Sequence, residues 1–92
     1  MGRCFLCHRT DLPVEVHHIF GGFNRKKSTA YKLTVDLCMY CHREGRNAVH
    51  KNAETMKALR QYGQRKAMKE NGWTIEDFIK VFGRNYLDDE GE

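Results

Sequence analysis

The sequence predicts a small α+β domain stapled by zinc, with its helices gathered in the C-terminal half. Three observations predict it. Two C-x2-C pairs, Cys4/Cys7 and Cys38/Cys41, stand 30 residues apart. Apolar and polar residues alternate from Tyr31 to Leu37, the period of a half-buried strand. From Asn52 onward the apolar residues recur at helical spacing. A chain of 92 residues is enough for one domain and buries a thin core, so a metal or disulfide staple is expected.

Taken in order, Cys4 to Cys7 reads as a metal knuckle, and Pro13 then breaks the chain. Val14 to Phe20 is rich in β-branched residues and reads as a first strand. The polar, glycine-led stretch from Gly21 to Thr29 reads as a loop. The second strand, Tyr31 to Leu37, runs into the second knuckle, Cys38 to Cys41. A long helix is expected over Asn52 to Glu70, stopped by Asn71-Gly72. Thr74 and Asp77 form an N-cap pair for a last helix bearing Ile75, Phe78, Ile79 and Phe82. The expected organisation is one domain over 1–87, with a motif core at 4–50 and a helical extension at 51–87. The acidic tail 88–92 is expected to be disordered.

Charge separates along the chain. Four of the 12 acidic residues are Asp88, Asp89, Glu90 and Glu92, whereas Arg25 to Lys69 holds 12 Lys/Arg against 3 Asp/Glu. A basic surface of this kind suits a polyanion, or is merely a solvated helix face. No apolar stretch is long enough to cross a membrane, and the residues after Met1-Gly2-Arg3 show no secretory apolar run. A cytoplasmic location, where thiols stay reduced and bind metal, is therefore the expectation.

Two residues between cysteines let both sulfurs reach one tetrahedral ion, and two such pairs complete a structural Cys4 zinc site. Both knuckles also read C-x-x-C-H, with His8 and His42 in the last place, which is the attachment signature of c-type haem. Haem is not expected, because no export signal is read and the chain offers little apolar lining. Of the remaining histidines, His17 and His18 are adjacent at the end of the first strand. Neighbours on a strand point to opposite faces, so both serve one site only if the strand ends there. His42 and His50 lie about two helical turns apart and share a face if the helix is unbroken, but Gly45 stands between them. Without further context, the pair reads equally as a hydrogen-bonded strand end and His42 as a cap of the knuckle.

The order Cys-x-x-Cys, Val16-His17-His18-Ile19 followed by Gly21-Gly22, then Leu37-Cys38-Met39-Tyr40-Cys41-His42, resembles the zinc-bearing branch of the HNH endonucleases. These have the ββα-metal, or His-Me finger, fold. The resemblance covers Cys4 to about His50 and extends to small phage and prophage nucleases of the class, in which a segment like Ala48-Val49-His50 recurs.

It implies a ββα-metal domain with a helical extension, and metal-dependent hydrolysis of phosphodiester bonds in DNA to a 5′-phosphate and a 3′-hydroxyl. His18 would be the general base and His17 a metal ligand. His42 would be the second ligand, with His50 the competing choice. A second divalent ion is implied beside the structural zinc: Mn²⁺, Ni²⁺, Co²⁺ or Zn²⁺ suits imidazole, and Mg²⁺ fits if oxygen ligands complete its shell. Arg25, Lys26, Lys27, Arg43, Arg46 and Lys51 would grip the phosphates.

The family's middle Asn, which orients the catalytic histidine, has no counterpart among Lys32 to Asp36. Tyr31, Thr34 or a backbone carbonyl is the expected substitute. The alternative is a non-catalytic, zinc-stabilised module that binds nucleic acid.

Overall fold

Two antiparallel strands, β1 (Val14–His18) and β2 (Thr34–Cys38), form the sheet at the centre of the computed structural model, which describes residues 2–87. The acidic tail lies outside the described residues. The register pairs Glu15 with Leu37, His17 with Val35 and His18 with Thr34. Residues facing one another across the ladder share a face of the sheet, so Glu15 and His17 lie on the face of the buried Val35 and Leu37. Val16 and Asp36 lie on the other, exposed face.

Both strands are shorter than the residue pattern suggested. β1 ends at His18, although the Ile19 amide still bonds to the Leu33 carbonyl at 3.0 Å. β2 begins only at Thr34, because Lys32 takes a left-handed turn (φ 62°) that separates Tyr31 from the ladder.

The stretch read as a loop is not one. Gly22–Asn24 forms a single 3₁₀ turn and Arg25–Ala30 a short helix, α1. Six residues hold no helix by propensity alone, so tertiary bonds decide the matter. The buried Ser28 hydroxyl accepts from the Phe20 amide (3.0 Å) and donates to the Phe20 carbonyl (2.7 Å). Asn24 Nδ2 and Lys27 Nζ both donate to carbonyls of the last helix, at Phe82 and Val81. A lysine that polar stretches usually expose is thus turned inward.

After β2 the chain makes a π-helical turn, Tyr40–Glu44, then an irregular segment, then α2 (Ala53–Asn71) and α3 (Ile75–Phe82). The boundaries of α2 and α3 follow the sequence signals closely. Asn52 caps α2 by accepting from the Glu54 and Thr55 amides, and Gly72 ends it in the left-handed conformation (φ 65°). Thr74 and Asp77 make a reciprocal capping box at the start of α3.

The core collects Ile19, Phe20, Leu33, Leu37, Val49, Leu59, Phe78 and Phe82. Phe20 is its hub: its ring centroid lies 5.5 Å from Phe78, 4.9 Å from Phe82 and 5.2 Å from Tyr86. The helical extension therefore closes directly over the residues that follow the histidine pair. At Gly63 on α2 an added Cβ would stand 2.7 Å from Ile19 Cγ2, so only glycine lets the helix approach that closely. No helix among the described residues is long and apolar enough to cross a membrane.

Candidate functional site

The four cysteines, none in a disulfide, converge as their spacing predicts, with all four sulfurs within 4.8 Å of one another. Cys7 Sγ and Cys38 Sγ are 3.7 Å apart, against about 3.8 Å for the edge of a tetrahedron with metal–sulfur bonds of about 2.3 Å. The group could hold a structural metal such as zinc. Backbone bonds shape it: the Phe5 amide donates to the Asp36 carbonyl (2.8 Å), docking the first knuckle on β2, and the His8 amide returns to the Cys4 carbonyl (2.9 Å). Burial opposes ionisation of Cys4, but amides at Cys7, Cys38 and Leu6 donate to its sulfur and bring its pKa down to about 6. Burial, and then the neighbouring thiols, push Cys41 well above the ordinary thiol range. One thiolate among crowded thiols is a set that a cation completes, displacing the remaining protons.

A second convergence brings together His17, His42 and His50, with one ring nitrogen from each within 4.8 Å of the others. Ring centroids are 5.2 Å apart for His17 and His42, 5.3 Å for His17 and His50, and 4.7 Å for His42 and His50. His42 and His50 were competing choices for one place in the sequence, and both are present. They do not share an unbroken helix, since the π-helical turn ends at Gly45. A Cβ there would meet the Tyr40 carbonyl oxygen at 2.6 Å. Instead the chain doubles back: the Val49 amide bonds to the Cys41 carbonyl (2.9 Å) and the His50 amide to the His42 carbonyl (3.2 Å). His50 Nε2 then lies 3.1 Å from His42 Nε2.

The three imidazoles could hold a divalent ion. An ion bound at about 2.0–2.1 Å holds adjacent imidazole nitrogens roughly 2.9–3.4 Å apart in octahedral or tetrahedral geometry, and the 3.1 Å separation lies in that range. His42 donates Nδ1–H to Glu15 Oε1 at 2.7 Å, which turns its Nε2 edge towards His50. His17 is only 4% exposed, yet its buried Nε2 has no hydrogen-bond partner. An imidazole nitrogen left unpaired in a protein interior calls for a ligand. Burial, and then the charges of His42 and His50, drive the His17 pKa down to about 4, so the ring is neutral and able to ligate at pH 7. Burial and the same neighbour also lower His50.

His18 stands beside this cluster rather than in it. Because β1 ends there, both members of the pair line one cleft despite their opposite directions on the strand. Its Nε2 lies 3.1 Å from Thr29 Oγ1. The Thr29 hydroxyl also lies 3.4 Å from the Arg25 carbonyl, so it can donate there and accept from a His18 Nε2–H. Where Tyr31, Thr34 or a backbone carbonyl was expected beside His18, the side chain in contact is Thr29 on α1. The cleft, about 400 Å³, includes His17, His18, His50, Gly22 and, from α2, Arg60. Arg60 Nε is buried without a hydrogen-bond partner, and its guanidinium stands 5.6 Å from the centre of the Tyr86 ring.

Glu15, Thr29 and Arg60 escaped the sequence reading. Glu15 alone carried a signal, since it lies two places before His17 and so on the same strand face.

The basic residues separate into two sets. Arg43 is tied to the Glu15 carboxylate and Lys27 to the Val81 carbonyl. Arg25 lines an adjoining opening with His17, His18, His42 and His50, and Lys26, Arg46 and Lys51 are exposed, with Lys51 reaching the Glu44 carbonyl at 3.3 Å. His8 is exposed beside the first knuckle, away from the imidazole cluster. Comparison with protein-family models, curated proteins and solved structures found no match to this chain.

Proposed function

We propose that this chain is a metal-dependent endonuclease of the HNH type, a ββα-metal domain that hydrolyses phosphodiester bonds in DNA and is braced by a structural zinc on its four cysteines. The observation that carries the reading is the meeting of His17, His42 and His50 from three separate segments, with a fourth, separately oriented imidazole at the same cleft. Structural histidines bury against carbonyls or carboxylates. Here three imidazoles turn ring nitrogens toward one another, and the Nε2 of the buried His17 has no partner, a set that a cation would complete.

When bound there, a divalent ion supplies charge neutralisation at the scissile phosphate and at the leaving 3′ oxygen. His17, His42 and His50 would hold it, and Glu15 would set the direction of His42. His18, held at Nε2 by Thr29, would present Nδ1 to a water and take its proton as general base. The guanidinium of Arg60, which lines the cleft, would meet a non-bridging phosphate oxygen. Arg25, Lys26, Arg46 and Lys51 position the backbone and carry little sequence preference.

A plasmid-nicking assay across Mg²⁺, Mn²⁺, Co²⁺, Ni²⁺ and Zn²⁺, with wild type and His18→Ala side by side, tests this. Nicking by the wild type and its loss in the variant, by on the order of 10²–10⁴-fold with zinc content unchanged, is the expected result. A wild type that nicks with none of these ions is a non-catalytic, metal-braced module instead. Full activity in His18→Ala removes that residue from the mechanism.

A further inference from the structure

Phe23 is 98% exposed, the most open of the large apolar side chains among the described residues. An aromatic ring this open has roughly 1.5–3 kcal/mol of burial to gain from whatever covers it. The turn that carries it is firmly built. The Asn24 amide bonds to the Gly21 carbonyl at 3.0 Å, and Asn24 Nδ2 anchors the turn to the Phe82 carbonyl at 3.0 Å. Gly22 adopts φ 54°, which glycine takes without strain. The same turn borders the imidazole cluster: Gly21, Gly22 and Arg25 line the cleft shared by His17, His18, His42 and His50. Phe23 itself stands at the rim.

The surroundings indicate what covers the ring. A protein partner or a membrane calls for a contiguous apolar patch, whereas the chain neighbours of Phe23 are two glycines, Asn24, Arg25 and Lys26. A lone aromatic ring between a catalytic cleft and exposed cations matches the way single-stranded nucleic acid is held, with a base stacked on the ring and phosphates on the basic side chains. We propose that Phe23 stacks on a nucleobase of the DNA strand laid across the histidine cleft, while Arg25 and Lys26 hold the adjoining phosphates. This deepens the endonuclease reading and rests on it. It also assigns a preference: a strand whose base is unpaired, or easily unstacked, binds better than a closed duplex.

Binding of a labelled, single-stranded thymine oligonucleotide, followed by fluorescence anisotropy, tests the stacking. The protein carries His18→Ala so that the strand stays whole, and is compared with the same protein carrying Phe23→Ala or Phe23→Trp. A strand of equal length made of abasic sites is the control. Phe23→Ala should weaken binding of the thymine strand about tenfold and leave the abasic strand unchanged, and Phe23→Trp should restore the affinity. The exposed position makes each substitution harmless to folding. Equal loss on both strands, or no loss on either, overturns the stacking. A base-dependent loss in a protein whose wild type nicks no plasmid keeps the stacking and removes the hydrolytic reading. Nicking with an indifferent Phe23→Ala does the reverse. No binding of either strand overturns the stacking and leaves the hydrolytic reading to the nicking assay.

Discussion

At Glu15 one carboxylate oxygen accepts from His42 Nδ1 while Arg43 engages the other, so a single side chain on β1 aims a ring carried by the turn after β2. Carboxylate partners of ligating histidines set both tautomer and orientation, and their loss typically costs 10–100-fold in metal affinity. Glu15→Gln should therefore weaken binding of the second divalent ion by roughly 10–100-fold, read by calorimetric titration, with the cysteine site left filled. Unchanged affinity would show that His42 is positioned by its backbone alone.

The neighbouring His17 sets a pH limit. Its folded-state pKa, about 4, lies below the 6.5 of a free imidazole, so between these values the unfolded chain binds the proton first. The stability it contributes is complete above pH 6.5 and is lost as pH falls towards 4. Protein without the second ion should show a His17 ring that stays neutral down to about pH 4 in an NMR titration. A midpoint near 6.5 would mean that the ring is solvated.

Among the elements, α2 links scaffold and site. Its cap, Asn52, binds two amides in the first turn, two residues after His50. Asn52→Ala should cost about 1 kcal/mol, visible as a lowered Tm. Further along, Gly63 lets the helix lie on Ile19 and Phe20, the residues directly after His18. Gly63→Ala should overpack that contact at a cost of about 1–3 kcal/mol and lower nicking activity more than a loss of stability alone explains. Wild-type Tm in that variant would mean that Ile19 yields freely.

The same elements show what the sequence made legible. The ends of α2 and α3 were readable because caps are local chemistry: Asn52, Gly72 and the Thr74/Asp77 pair act within a few residues. The short helix α1 was not, because its stability comes from Ser28 bonding to Phe20 and from side chains reaching α3. The cysteine cluster was legible from spacing. The joint presence of His42 and His50 was not, since it depends on a backbone return from Val49 and His50 to Cys41 and His42 that no periodicity announces. Arg60 stayed hidden because a basic residue on a long polar helix looks like any solvated one.

For the whole molecule, the two metal groups share one segment: Cys38 and Cys41 belong to the first and His42 to the second. A structural zinc contributes about 10–16 kcal/mol of apparent binding energy, comparable with the entire 5–15 kcal/mol stability of an ordinary domain. Cys38→Ser should therefore unfold the chain by circular dichroism and abolish both sites together, whereas His50→Ala should empty only the second. A folded Cys38→Ser protein would show that the aromatic core around Phe20 suffices without the staple.

The convergence of three imidazoles on one accessible cation is tested most directly by counting and identifying ions. Zinc-purified protein titrated with Co²⁺ and followed by X-ray absorption should take up one further ion per chain, ligated by nitrogen and oxygen without sulfur, and lose that ion in His17→Ala or His50→Ala. Uptake confined to the sulfur site, or a second ion indifferent to both substitutions, would contradict it.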